Sequence, residues 1–452
     1  MTARRPYLRF LPALTRVLGI VFIGATIAPI ADAALPSGNP VQQWNQIAED
    51  TVVASGAFQN EGLIYMAYAA AAVYDAVTAI EGGYEPYAIR VPASPSASAA
   101  AAVVEAAYTV LRYHFPAQAA SLDARHTEAL ALITDGPASI AAGREVGVAA
   151  ANAIIELRSG DGRLTPIGVT SPVDAHQPGP GVWRRTPAPM APFAPPQTPW
   201  VGDVQPFVLH EPGQFHPAPP PPLQSQRWVE QFDEVRAYGS ATSGIRSAEQ
   251  TAIARFWTAN VIRQYNRLGR EVASAHALTL VDTARLLAMI NVVGADAQIA
   301  VMHWKYTFLF WRPVTAIDPS AVVADGFGPV PGFDDGNRRT VEEPNWRPLI
   351  ATPNHPEYPG AHGSITAAVS EVLSEVLQTD AIDVDVHGFD PSGPMGNLNA
   401  TRHFETVADL RDEIVNARLW AGLHYRGSSE AGVDLGQQVA HYALNHAFRP
   451  ER

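Results

Sequence analysis

The sequence predicts an all-α protein. Apolar residues recur at helical spacing through long Ala-rich stretches, cap and stop signals bracket those stretches, and the segments between them are too dense in Pro and Gly to build a sheet. Residues 41–79 carry the first helical pattern, with Trp44, Ile47, Leu63, Ile64, Tyr68, Val73 and Val77 on its buried faces. Residues 99–111 and 117–157 read as further helices, stopped by Gly160-Asp161-Gly162. From Thr165 to Leu223 the chain is Pro-dense, ending in His216-Pro217-Ala218-Pro219-Pro220-Pro221-Pro222, and neither a helix nor a central strand tolerates that density. Its aromatic residues Trp183, Phe193, Trp200, Phe207 and Phe215 predict a segment that wraps the surface and is pinned to it. Ser247 with Gln250 makes a capping box for a helix running through Phe256, Trp257 and Val261, and residues 271–306 supply one or two more. Residues 326–348 read as loop, the last helices cover 359–377, 405–420 and 430–448, and a small hairpin is expected at 381–389. The organisation is thus a signal peptide at 1–33, an N-terminal helical region at 34–164, the Pro-rich wrapping loop at 165–223 and a C-terminal helical region at 224–452.

With 452 residues, 47% hydrophobic and 17% charged, the chain has an ordinary globular make-up and enough length for a large core. Its net charge of −13 argues against a nucleic-acid partner or an anionic membrane, which both need a basic face. A few buried cations can still hold a small anion. Without cysteine there is no disulfide, thiolate metal site or Cys nucleophile. Arg4, Arg5, Arg9 and Arg16 precede an uncharged apolar run from Val17 to Ile30, and Ala31-Asp32-Ala33 fits a small-x-small cleavage pattern. Export to the periplasm or beyond, with cleavage after Ala33, is therefore expected, and Arg4-Arg5-Pro6-Tyr7-Leu8 is close to a twin-arginine signal. Later apolar stretches are interrupted by Asp75, by Asp282 and Arg285, and by Asp296, so the mature chain is expected to be soluble, with no membrane partner.

Three separated segments supply cations and imidazoles. They are Lys305 with Arg312-Pro313 after six intervening residues, Pro359-Gly360-Ala361-His362 on a turn entering a helix, and Arg418 six residues before His424. Each has a logic for holding a tetrahedral oxyanion. Arg offers a planar fork of donors and Lys a compact charge. A Gly-containing turn at a helix start aims unpaired N–H groups at the anion. Imidazoles add a metal ligand or nucleophile and a proton shuttle near neutral pH. Singly these signals are weak; in this order across one region they are specific.

The three segments resemble the signature shared by vanadium-dependent haloperoxidases and the type 2 phosphatidic-acid-phosphatase superfamily: Lys-x6-Arg-Pro, Pro-Ser-Gly-His and Ser-Arg-x5-His. Trp44-Asn45, Tyr74-Asp75-Ala76-Val77, Phe256-Trp257, Asn345-Trp346-Arg347-Pro348 and Glu357-Tyr358-Pro359 look like the bacterial haloperoxidase branch. The resemblance implies a helical-bundle fold and a vanadate cofactor whose site phosphate can also occupy. It implies that His424 ligates vanadium, that Lys305, Arg312 and Arg418 neutralise the equatorial oxygens, and that the backbone around Gly360 and Ala361 donates to one of them. His362 would be the acid–base residue and Lys305 would polarise bound hydrogen peroxide. Halide would then be oxidised to a hypohalous species that halogenates a small organic acceptor, with vanadium acting as a Lewis acid. A homodimer is an expected assembly among such proteins.

Two departures stand out. Gly360 replaces the motif's serine, which removes a donor worth on the order of 1.5–3 kcal/mol of anion binding, and Ala417 replaces the Ser before Arg418. Pro391-Ser392-Gly393 is followed by Pro394 and reads as a turn. His355, seven residues before His362, lies where bromoperoxidases of the family tend to carry His and chloroperoxidases Phe, which favours bromide or iodide over chloride. Asp383, Asp385 and Asp390 around His387 lack the glycine and terminal Glu of a calcium loop, and Asp334-Asp335-Gly336-Asn337 reads as a plain turn. Asp296 is a candidate to orient one of the site's Arg residues. Two rival functions use the same residues: an acid phosphatase in which His424 forms a phosphohistidine and His362 protonates the leaving group, and a catalytically weak oxyanion-binding protein.

Overall fold

The computed structural model describes residues 34–165, 179–185, 196–318, 335–388 and 400–451. The expected signal peptide at 1–33, Phe193, Asp334, Asp390 and the expected turn at Pro391–Gly393 lie outside the described residues. The all-α reading holds. In chain order the helices are α1 (Pro40–Ala54), α2 (Gln59–Glu81), α3 (Ala99–His114), α4 (Ala119–Ala131), α5 (Pro137–Leu157), α6 (Gln226–Gly239), α7 (Ala248–Phe256), α8 (Val261–Ala275), α9 (Leu280–Phe308), α10 (Pro313–Ile317), α11 (Ala361–Leu377), α12 (Val407–Trp420) and α13 (Arg426–His446). Two strands, β1 (Ala381–His387) and β2 (Thr401–Thr406), pair antiparallel.

Two layers of helices meet along α2 and α9, which pack on each other. Both are apolar nearly all round, and a helix with no polar face has to be buried. Each is long and apolar enough to cross a membrane by composition, contrary to the expectation from Asp75, Asp282 and Asp296, but their apolar windows are 89% and 94% buried in the core. The polar residues in them are matched instead. Asp75 on α2 accepts the successive N–H groups of Tyr87, Ala88 and Ile89 at 2.6–3.1 Å. Asp296 on α9 does the same for Phe207, Val208 and Leu209 at 2.6–3.0 Å. Asp296 therefore staples the Pro-rich segment to the core and orients none of the site's Arg residues. Trp183, Trp200 and Phe207 of that segment are buried.

α3 packs on α5, and α11 on α13, at glycine-mediated close approaches. A Cβ at Gly436 of α13 would stand 2.0 Å from the Ser364 carbonyl oxygen of α11, so no side chain fits there. Some boundaries differ from expectation. The capping box at Ser247 and Gln250 is present, but that helix ends at Phe256; Asn260 accepts the Ile262 N–H and opens α8 at Val261. α6 was not expected; Ser225 caps it, and Trp228, Val229, Phe232 and Val235 form its buried stripe. The hairpin pairs β1 with Thr401–Thr406, so Glu405 and Thr406 are strand, and α12 starts at Val407. Asp383 and Asp385 face solvent and pair with His403.

Candidate active site

Three chain segments converge around one cavity. α9 ends when Leu309 takes a left-handed conformation (φ 48°), which turns the chain back and sets Arg312 as the residue before α10, with Pro313 at its first position. Lys305, in the last turn of α9, is fully buried and donates from Nζ to the carbonyls of Pro356 (3.1 Å) and Glu357 (2.8 Å). Arg312 is also fully buried. Its Nε donates to the His355 carbonyl at 3.0 Å, Nη1 to the Leu423 carbonyl at 2.9 Å, and Nη1 and Nη2 stand 3.1 Å from His424 Nε2 and His355 Nδ1. Arg418, at the end of α12, donates from Nη1 to the Trp257 carbonyl at 3.1 Å. Gly422 (φ 74°) then reverses the chain where a Cβ would collide with the Gly239 carbonyl at 2.4 Å, and the reversal brings His424 to the same cavity as Arg418.

His362 sits in the first turn of α11, where no side chain caps the leading N–H groups. His355, Ala361, His362, Arg418 and His424 line a cavity of about 350 Å³ together with the apolar Phe58, Val261, Met302 and Ile365. Lys305 and Arg312, fully buried, reach it indirectly, through their contacts with the 355–357 turn and His424. Six of the predicted site residues thus come together: Lys305, Arg312, His355, His362, Arg418 and His424. Gly360 differs from expectation. Its N–H donates to the Ser428 carbonyl at 2.7 Å, which leaves Ala361 and the residues after it as backbone donors. The missing serine has a steric cause, since a Cβ at 360 would lie 2.9 Å from Ser429 Cα and 3.1 Å from Ser428 O.

The electrostatics are those of a site short of negative charge. Burial, then the neighbouring Arg312, pulls Lys305 well below the usual lysine range. Burial also lowers Arg312 to about 10, and burial with Arg312 lowers Arg418 to about 9. His355, His362 and His424 are all pushed well down by burial and by the cations beside them, so all three imidazoles are neutral at pH 7. Sequence reasoning assigned no role to Glu357. It is fully buried, its Oε1 lies 2.8 Å from His424 Nδ1, its carboxylate accepts from the Tyr425 N–H and Ser428 Oγ, and burial raises it to about 7. Glu357-Tyr358-Pro359 stood in the sequence only as part of the family resemblance. Its partners are 67–71 positions away, so no local pattern marks it.

Residues 285–450 match the family model of the VCPO second helical-bundle domain, a range that includes all three of these segments. The vanadium chloroperoxidase of Curvularia inaequalis is 26% identical over 323 residues, 59% of this chain, and the chain spans about half the length of that curated relative. A bacterial vanadium-dependent iodoperoxidase superposes with a TM-score of 0.72 at 23% identity, over 93% of this chain and 100% of that one. A bacterial vanadium-dependent chloroperoxidase in its holo form gives 0.65 at 17% identity, over 92% and 94%. The chain has the vanadium haloperoxidase fold. The resemblance read from its three motifs stands.

A vanadium haloperoxidase needs a tetrahedral vanadate, and the residues present fit one. Arg418 Nε is buried with no hydrogen-bond partner, as are Gln298 Nε2 on the cavity wall and Ser429 Oγ behind Gly360. Three buried cations against one buried carboxylate leave a positive excess that an oxyanion would balance. Among the described residues no cluster of three or more His, Cys, Asp or Glu is placed to hold a metal cation, so the donor set is one for an anion.

Proposed function

We propose that the chain is a vanadium-dependent haloperoxidase that oxidises bromide or iodide with hydrogen peroxide and halogenates a small organic acceptor. The observation that supports this most is that Arg418 and neutral His424 and His362 line one cavity, with Lys305 and Arg312 bonded to the turn and the imidazoles behind it, in a chain with the haloperoxidase fold. Vanadate, when bound, would supply a Lewis-acid centre that activates peroxide toward halide. Lys305, Arg312 and Arg418 would hold its oxygens by charge-assisted bonds, together with the N–H groups at the start of α11, and His424 would ligate it through Nε2. His362, neutral and on the cavity wall, would take the proton from incoming peroxide. His355, 3.1 Å from Arg312 Nη2, places a second imidazole beside that machinery and supports the bromide or iodide preference.

A cavity of about 350 Å³ far exceeds what peroxide and halide need, and Phe58, Val261, Met302 and Ile365 give it an apolar lining suited to an organic acceptor. Export through residues 1–33 and homodimer assembly belong to the same proposal on sequence grounds. The test is turnover: protein loaded with orthovanadate should brominate a phenolic dye with peroxide and bromide, and His424→Ala should not. Phosphate release from p-nitrophenyl phosphate, inhibited by vanadate, without any halogenation, would instead establish the phosphatase reading.

A further inference from the structure

We propose that Glu357 is the positioning residue for His424, holding its ring in the Nδ1–H tautomer so that the Nε2 lone pair is kept for the anion site. The inference rests on the reading of that site as an oxyanion centre. Glu357 Oε1 already accepts the Tyr425 N–H at 3.1 Å, so the imidazole nitrogen 2.8 Å from it is read as its second donor, which puts the proton on Nδ1. A guanidinium only donates, so Nε2, 3.1 Å from Arg312 Nη1, has to accept. The two neighbours, on opposite edges of the ring, favour the same tautomer.

Glu357 is itself immobilised at each polar group. Oε1 also accepts the Tyr425 N–H at 3.1 Å, and Oε2 accepts Ser428 Oγ at 2.6 Å. Its N–H donates to the Phe310 carbonyl at 3.0 Å, and its carbonyl receives Lys305 Nζ at 2.8 Å. The residue therefore ties the turn that carries His355 to the chain entering α13, and couples the position of Lys305 to the orientation of His424. A ring free to adopt the other tautomer would present an N–H to the anion site and could not ligate through Nε2.

Two variants separate this role from packing. In Glu357→Gln the side-chain oxygen can keep the His424 and Tyr425 bonds, while the new amide donates to Ser428 Oγ. In Glu357→Leu no acceptor remains. The readout is the tautomer of His424 in full-length, anion-free protein with 15N-labelled histidine, assigned by comparison with His424→Gln and followed through long-range proton–nitrogen couplings. Orthovanadate affinity is then measured by titration calorimetry. Wild type and Glu357→Gln should show a protonated Nδ1 and bare Nε2 at His424. Glu357→Leu, with the ring held by Arg312 alone, should show a weakened preference and bind vanadate at least tenfold more weakly, with the His362 signals in place. A wild-type His424 protonated on Nε2, or a Glu357→Leu protein that keeps both the Nδ1–H form and wild-type affinity, overturns the proposal. Because the tautomer is read without any anion, a wild-type protein that binds no vanadate would refute the oxyanion-site reading separately.

Discussion

Restoring the family's serine at position 360 should harm this protein. A Cβ there lies 2.9 Å from Ser429 Cα, 3.1 Å from Ser428 O and 3.3 Å from Ser429 N, and all three are backbone atoms that cannot rotate away. The Gly360 N–H is bonded to that same Ser428 carbonyl at 2.7 Å, so moving the segments apart breaks a buried hydrogen bond. Three residues further along the contact, Gly432 would meet the Gly360 carbonyl at 2.1 Å if it carried a Cβ, so the two chain segments touch backbone to backbone. Overpacking of this kind costs about 1–3 kcal/mol. A hydroxyl returns on the order of 1.5–3 kcal/mol of anion binding only if it reaches the anion in a relaxed rotamer. Gly360→Ser should therefore lower the unfolding free energy by about 1–3 kcal/mol without tightening vanadate or phosphate binding. Urea denaturation followed by circular dichroism gives the first quantity, and titration calorimetry the second. An unchanged midpoint with anion binding about tenfold tighter would show that the turn has room for serine, and the steric account would be wrong.

Other perturbations test the remaining links. Asp296→Asn replaces one carboxylate oxygen by a donor and strands at least one of the Phe207, Val208 and Leu209 N–H groups. It should cost about 1–3 kcal/mol in denaturation while leaving phosphate affinity unchanged, since Asp296 touches none of the site cations. Burial lifts the Asp296 carboxyl to about 6, above its unfolded value near 3.9. Its stability contribution is thus full below about pH 4 and lost as pH rises through about 6, so wild type should gain on Asp296→Asn as pH falls between those values. Stability of both proteins measured from pH 4 to 8 checks that sign. Arg418→Ala removes a buried cation whose Nε has no protein partner, and phosphate affinity should fall by roughly 10- to 100-fold, corresponding to about 1.5–3 kcal/mol. Gly436→Ala should destabilise by about 1–3 kcal/mol or more, because its Cβ would meet Ser364 O at 2.0 Å. His355→Phe should shift the ratio of bromide to chloride turnover toward chloride; an unchanged ratio would remove His355 from halide selection.

What the sequence revealed and what it hid follow from contact range. Lys305 and Arg312 were legible because a single left-handed residue, Leu309, closes the turn between them, so their meeting is nearly local. Arg418 and His424 meet across the Gly422 reversal in the same way. Convergence of the three motifs came from resemblance, since nothing local brings position 312 to position 424. Glu357 was invisible for that reason: its carboxylate is defined by residues of the α12–α13 turn. Asp296 was misread because its helix is shared by Lys305, yet its face of α9 looks toward the wrapping loop. The break before α8 was missed because Trp257, Ala259 and Val261 are all apolar and buried, so hydrophobic pattern continues where Asn260 caps a new helix. The stripe of α6 was present at Trp228, Phe232 and Val235, obscured by the proline run that ends three residues before its Ser225 cap.

The most direct test of the central claim is to see where vanadium goes. A crystal structure of the vanadate-soaked protein, with X-ray absorption at the vanadium edge, should show a single vanadium bonded to His424 Nε2, with its oxygens facing Lys305, Arg312, Arg418 and the start of α11. Vanadium that is absent, or bound elsewhere with the His424 ring untouched, would contradict the account.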